Sequence, residues 1–466
     1  MPSTPPRAAC CLMLATLIAL AGWSQAAGLQ AVLPADLDRL EPAVAELIRN
    51  TALRVEAEPG QAEAHGRLGM AYEANSLWPE AESSYERAVE LDGQDYRWRY
   101  RLAVASRQNG DLDHSLELLQ QLATEQPDLA PVHQRLALAL LERGDVAGAR
   151  IHFERLIELE PRASQGYAGL ANVQLQEGNA EGAVSLLESA LKLRPEDRQS
   201  HYLLGLAYRA LGRQEEAKSE LAKGLNATPA YLPVSLDFEI ERLGVNLTAR
   251  LDRASTYLGL GRTEEAAREL EITLEDHPDN LQVMNNLAIA YMRVGKTDDA
   301  LAVLERARAI DDEGFATYLN LSACYMRIGR LDDALAATDS AIERAPEVSK
   351  THLARAGVLG AMGRLEEARV SLGSVIDLEP DNLRAHLMLG RVFELVSQPE
   401  EAANQYATAL EFAPDDLGAW LGLARNRLEL GEVSAARQAL TRARELAPEH
   451  PQVIELGQRM AAEGDR

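Results

Sequence analysis

Residues 198–231 read RQSHYLLGLAYRALGRQEEAKSELAKGLNATPAY. Leu204, Gly205 and Tyr208 fall at helical spacing in the first half of this stretch. Gly212 follows, and glycine accepts the left-handed backbone that ends a helix. Ala217, Leu221 and Gly224 then share one face of a second helix, and Pro229 closes the unit. The stretch therefore predicts two helices joined at a glycine.

The same pattern returns every 34 residues. Leu68, Leu102, Leu136, Leu170 and Leu204 keep that spacing, as do Ala149, Ala183 and Ala217, and Pro127, Pro161, Pro195 and Pro229. After an interruption it resumes with Ala266, Ala300, Ala334, Ala368, Ala402 and Ala436. A fixed period over most of a chain is the signature of a solenoid. Acidic pairs such as Glu215-Glu216 and Asp298-Asp299 open second helices, where they complement the helix dipole. Small residues at the crossings let the two helices approach, while Leu and Tyr fill the flanks. A large residue at Ala300 is expected to overpack its crossing, at a cost of about 1–3 kcal/mol.

Leu-Gly-x-x-Tyr, then Ala, a bulky residue and Pro at these offsets resembles the tetratricopeptide repeat. Eleven units start near residues 62, 96, 130, 164, 198, 247, 281, 315, 349, 383 and 417. The resemblance implies an all-α, right-handed superhelical solenoid whose concave groove is lined by the first helix of each unit. Some positions depart from the pattern. His65, His133, His201, His352 and His386 stand at the first-helix aromatic place, and Arg253 and Arg355 replace a core leucine. Packing at the aromatic place, not metal binding, is the expected role of the histidines, because equivalent places in stacked units do not converge as metal ligands must.

Outside the repeats lie three segments and a leader. Residues 1–26 carry Arg7, an apolar run from Ala8 to Gly22 and Ser24-Gln25-Ala26, the order of a secretory signal with cleavage expected after Ala26. An uncleaved membrane anchor is the alternative. Residues 27–61 are expected to cap repeats one to five (62–231) with a helix over Leu40–Ala57, and 451–466 to cap repeats six to eleven (247–450). Residues 232–246 are an apolar insertion, expected as a packing spacer between the two blocks, with cover of part of the groove as the other role.

Of the 466 residues, 47 are basic and 72 acidic, a net charge of −25. That balance argues against nucleic acid as a partner. Arg outnumbers Lys 42 to 5, which fits a GC-rich bacterial source and hence a periplasmic location. Once the leader is removed, Cys324 is the one cysteine left, so no intrachain disulfide is expected. No nucleotide loop, Gly-x-Ser-x-Gly elbow, Cys-x-x-Cys or His-Glu-x-x-His occurs. The reading is of a non-enzyme with no cofactor, metal or small-molecule substrate.

Two groove regions are candidates for binding a protein or peptide. Arg67, Arg101 and Arg135 take the same place in three consecutive units, with Arg97 and Arg107 nearby. Such a row suits partner carboxylates. Charge reversal at Arg101 is expected to weaken partner binding without lowering stability. The second region holds Asn285, Asn286 and Asn320 with Met292, Arg293, Met326 and Arg327. Asparagine amides both donate and accept, which suits an extended peptide backbone, and methionine adapts to varied apolar surfaces. The function expected is a scaffold or adaptor in the cell envelope. A holdase-like chaperone and a non-catalytic subunit of an envelope enzyme or secretion complex fit the same residues.

Overall fold

The protein is described here by a computed structural model covering residues 30–464. The signal expected over 1–26 lies outside the described residues. Among the described residues there are helices and turns and no strand. The chain divides into two compact units, the first ending at Arg250 and the second beginning at Leu251.

Unit one opens with a 3-10 turn, Leu37–Arg39, and the helix Pro42–Ala57, which buries Val44, Ala45, Ile48, Ala52 and Val55. Five helix pairs follow: Ala62–Ala74 with Trp78–Leu91, Tyr96–Gln108 with Leu112–Glu125, Ala130–Arg143 with Val146–Leu159, Ser164–Gln176 with Ala180–Leu193, and Arg198–Ala210 with Gln214–Lys223. A short helix, Asp237–Leu243, comes next, and the division between units falls inside the helix Leu247–Gly259.

That helix pairs with Thr263–Asp276. Five more pairs complete unit two: Leu281–Arg293 with Thr297–Ile310, Phe315–Arg327 with Leu331–Arg344, Ser349–Ala361 with Leu365–Leu378, Leu383–Leu395 with Pro399–Phe412, and Leu417–Glu429 with Val433–Leu446. The helix Pro451–Gly464 ends it, burying Val453, Leu456 and Met460. All eleven first helices begin at the residues that the 34-residue period marks. Within each unit the two helices of a pair pack together, the pair that starts at Leu247 being joined by Arg253 and Glu269 at 2.6 Å, and each second helix packs on the next first helix.

The joints follow from residue size and backbone freedom. Gly212 has φ +75°, in the left-handed region. In repeats one and ten a serine holds the same conformation, Ser76 at φ +61° and Ser397 at φ +57°. At the fifth crossing a Cβ on Gly205 would lie 2.6 Å from the Leu221 side chain, and one on Gly224 would lie 2.4 Å from the Tyr202 backbone nitrogen. Ala300 is fully buried, so nothing larger fits without repacking.

The five histidines share one contact. Nε2 of His65, His133, His201, His352 and His386 faces the carbonyl oxygen of the proline six residues earlier, at 2.8–3.0 Å. The Trp420 indole donates to the Pro414 carbonyl at 2.8 Å and the Tyr167 hydroxyl to that of Pro161 at 3.1 Å. In these seven repeats the ring ties the first helix to the turn entering its repeat, while Arg99, Arg250, Met284 and Tyr318 stand at that place in the other four. The two arginines at leucine positions are paired: Arg253 with Glu269 at 2.6 Å, and Arg355 with Asp339 at 2.6 Å and Ser371 at 2.9 Å. Cys324 is buried among apolar neighbours, and burial pushes its thiol pKa up to about 11.

Candidate functional site

The 34-residue period also fixes which side chains meet across a first-helix face. Arg67, Arg101 and Arg135 in unit one stand at the register of Asn286 and Asn320 in unit two. Gln134 stands at the register of Asn285. The two units treat this common face differently.

In unit one the face is covered by the chain itself. The segment after repeat five runs back over the first helices, from repeat three to repeat one. Gln134 holds its backbone in both directions, donating to the Ala230 carbonyl at 2.7 Å and accepting from the Leu232 N–H at 2.6 Å. Leu236 and Ile240 sink into the same apolar core as Leu68, Trp98 and Leu136. Asn75 then grips the far end, donating to the Leu243 carbonyl at 3.0 Å and accepting from the N–H groups of Val245 and Asn246 at 3.0 and 3.1 Å. Between the two roles open in the sequence, cover of the groove is the one this geometry displays.

Two of the three arginines in the row, Arg67 and Arg101, meet carboxylates, and these belong to this chain. Arg101 is only 2% exposed and is held between Glu73, at 3.1 Å, and Asp237 of the segment. Burial works against its cation, but those two carboxylates outweigh that effect and raise its pKa. Arg67 bonds Glu63 at 2.8 Å and Glu239 of the segment at 3.2 Å. The Arg135 guanidinium lies 4.0 Å from the Tyr231 ring centre and donates to the Tyr100 hydroxyl at 2.7 Å. Arg97 pairs with Asp95 at 2.6 Å and Glu63 at 3.3 Å, and Arg107 with Glu142 at 2.7 Å. The expectation that Arg101 acts without bearing on stability is corrected here: a buried cation between two carboxylates is structural, and removing it takes the counter-charge from Glu73 and Asp237 together.

In unit two the same register is open. A concavity of about 740 Å³ is lined by Gln282, Asn285, Asn286, Ile289, Phe315 and Asn320, among others. A second, of about 480 Å³, adjoins it through Leu319, Ser349, Lys350 and Glu379 and continues over Leu353, Gly357 and Met388. Asn285 is engaged internally. It donates to the Leu281 carbonyl at 2.8 Å and to Thr317 at 3.1 Å, and accepts from Asn320 at 2.8 Å. Asn286, with no side-chain bond among the described residues, is the amide left to face a ligand. Met326 lines the second concavity. Met292 packs against the core around Leu304 and Tyr318, and Arg293 turns away to the Leu258 carbonyl at 3.0 Å. Arg327 is exposed and lines neither concavity.

Apart from Met326, sequence reasoning missed the apolar and charged members of this groove. Its rows follow the period: Gln282, Ala316, Lys350 and Arg384; Asn286, Asn320, Ala354 and Met388; Ile289, Ala323 and Gly357. Extending the asparagine register by 34 residues would have found the second row. The third shrinks from Ile289 to Ala323 and Gly357, while the first brings charge at Lys350 and Arg384.

These features define a helical-repeat protein with one covered and one open first-helix face. Two family models, both described as tetratricopeptide repeat, match it. One matches residues 41–95, 67–130, 135–189 and 251–315, the other 174–233, 291–356 and 397–459. Together these spans take in most of the sequence, and the chain belongs to the tetratricopeptide repeat family. No curated protein matches the sequence.

Solved structures similar to the chain include yeast Tom70, at 17% identity over 87% of this chain and 96% of that one, with a TM-score of 0.41. PilW, a widely conserved type IV pilus biogenesis factor, is 17% identical over 46% of this chain and 99% of its own, at 0.42. YrrB, a TPR protein with an unusual peptide-binding site, is 18% identical over 41% and 99%, at 0.36.

Proposed function

We propose that this chain is an exported, non-catalytic adaptor that holds extended segments of protein partners on the first-helix face of unit two. The observation that carries this reading is the pair of adjoining concavities over repeats seven to ten. Their combined run is long and open, with apolar side chains at Leu319, Leu353 and Met388 and polar groups spaced along it. An extended peptide uses such a surface better than a compact small molecule, which calls for enclosure. Asn286 supplies a backbone grip, and Lys350 and Glu379 supply one charge of each sign to set register. Export rests on the signal-like order of residues 1–26, and the periplasm on that order together with the Arg-rich composition.

The test is photo-crosslinking. A photoreactive side chain at Asn286 in the full chain is expected to trap a small set of defined polypeptides from cell-envelope extract. The same group at Arg306, on a second helix, is expected to trap none of them. Equal yields from both positions would reject the groove. A smear of unrelated unfolded chains at Asn286 would point to a chaperone instead of an adaptor.

A further inference from the structure

The covered face of unit one has the chemistry of a polypeptide-binding site, and its occupant is residues 230–246. A spacer needs only shape. This segment instead draws polar groups from three repeats. Gln134 and Asn75 hold five backbone groups between them, and neither contact depends on the side chains of the segment. Arg101 and Arg67 take carboxylates at alternate residues, Asp237 and Glu239. Leu236 and Ile240 enter the apolar floor. The outer side of the segment faces away from the floor: Phe238 is 68% exposed, and Arg242 is exposed as well. The stretch that leads into it, Leu225–Pro229, is mostly exposed, and Asn226 adopts a positive φ of 58°.

We propose that the first-helix face of unit one is a docking site for a polypeptide of the chemistry of residues 230–246, an extended stretch running into a short acidic and apolar helix, and that the chain's own segment closes it by acting as a tethered ligand. The recognition rule is written in the contacts: backbone held by Gln134 and Asn75, carboxylates at i and i+2 for Arg101 and Arg67, and apolar side chains at i−1 and i+3 for the floor. The tether sets the terms of exchange. A short flexible linker presents its ligand at millimolar effective concentration, so a free partner of equal intrinsic affinity enters only at comparable concentration or after the segment is loosened. This site is separate from the unit-two groove, and either reading stands if the other fails.

The experiment uses a labelled synthetic peptide of residues 230–246 and the full chain. A variant carrying Asp237→Ala and Ile240→Ser loosens the tethered copy while leaving the face intact. It is expected to bind the peptide at least tenfold more tightly than the wild type does. Adding Gln134→Ala is expected to abolish that gain, which binding at unit two would not do. A folded double variant with no gain in affinity overturns the proposal, as does a gain insensitive to Gln134→Ala. Should the double variant not fold, hydrogen exchange on the wild type decides. Peptide at about 1–10 mM is expected to speed exchange of the Leu232, Val245 and Asn246 amides severalfold, while a scrambled peptide leaves them unchanged. Unchanged exchange with the native peptide overturns the proposal.

Discussion

Arg101 donates to Asp237, a residue 136 positions further along the chain, and Glu73 flanks the same guanidinium. The contact fastens repeat two to the segment that covers unit one. Reversing the charge with Arg101→Glu would place a carboxylate between buried Glu73 and Asp237, whose side chain is 35% exposed. Removing one partner of a buried ion pair costs about 3–5 kcal/mol, and reversal falls at or above that range. Chemical denaturation is expected to show this loss, mainly in the transition of unit one. An unchanged midpoint would mean that the site is far wetter than its burial indicates.

Ser397 sits in the left-handed conformation that glycine takes in nine other repeats. An L-residue there strains its Cβ against the following carbonyl. Ser397→Gly is expected to stabilise unit two by about 1 kcal/mol, less whatever glycine adds to the freedom of the unfolded chain. That corresponds to a rise of about 2–4 °C in melting temperature for a unit of this size. Ser76→Gly should do the same in unit one, so calorimetry of the two variants assigns the two transitions.

Gly169 packs against Phe153, and a Cβ there would lie 2.1 Å from the ring. Gly169→Ala is expected to cost about 1–3 kcal/mol, because the ring is fully buried and has nowhere to turn. Shrinking the partner with Phe153→Leu in the same chain should recover part of the loss. Additive losses in the double variant would show that the two side chains do not compete for one space.

Stability should also fall on mild acidification. Burial lowers the pKa of His152, and the His133 ring, whose Nδ1 lies 3.0 Å from its own, lowers it further, with Asp145 acting the other way. His65 is lowered by burial too, against the Pro59 carbonyl bond that raises it. Both are neutral in the folded state at pH values where the unfolded chain already begins to take a proton. Their contribution is therefore complete above about pH 6.5 and is lost as pH falls from there towards the lower folded values. Midpoints of denaturation measured between pH 7.5 and pH 5 should decline, and His152→Gln should flatten part of the slope.

The all-helical repeat architecture was legible because its causes are local. A glycine at φ +75°, a small residue at a crossing and a proline at a joint each act within a few residues, and the period multiplies the signal. The path of residues 230–246 had no such signal. Its anchors lie 96 to 170 residues away, at Gln134, Arg101 and Asn75, and nothing in a local window pairs them. One cue was available: Asp237 and Glu239, two carboxylates in an apolar insertion, in a chain with an aligned arginine row. In unit two the asparagine register marked Asn286 and Asn320, but it could not show which amides are spent inside the fold. Asn285 spends its groups on Leu281, Thr317 and Asn320, a choice set by the spacing of neighbouring helices.

The ring-to-carbonyl tie at the entrance of seven repeats has a consequence for how such a chain diversifies. His, Tyr and Trp all serve there, since the joint asks only for a flat side chain ending in a hydrogen on nitrogen or oxygen at the right reach. The latch is thus interchangeable among three chemically distinct residues, and a copied repeat can drift between them while its hinge stays shut. Each repeat can then exchange its latch singly, with the path of the backbone untouched.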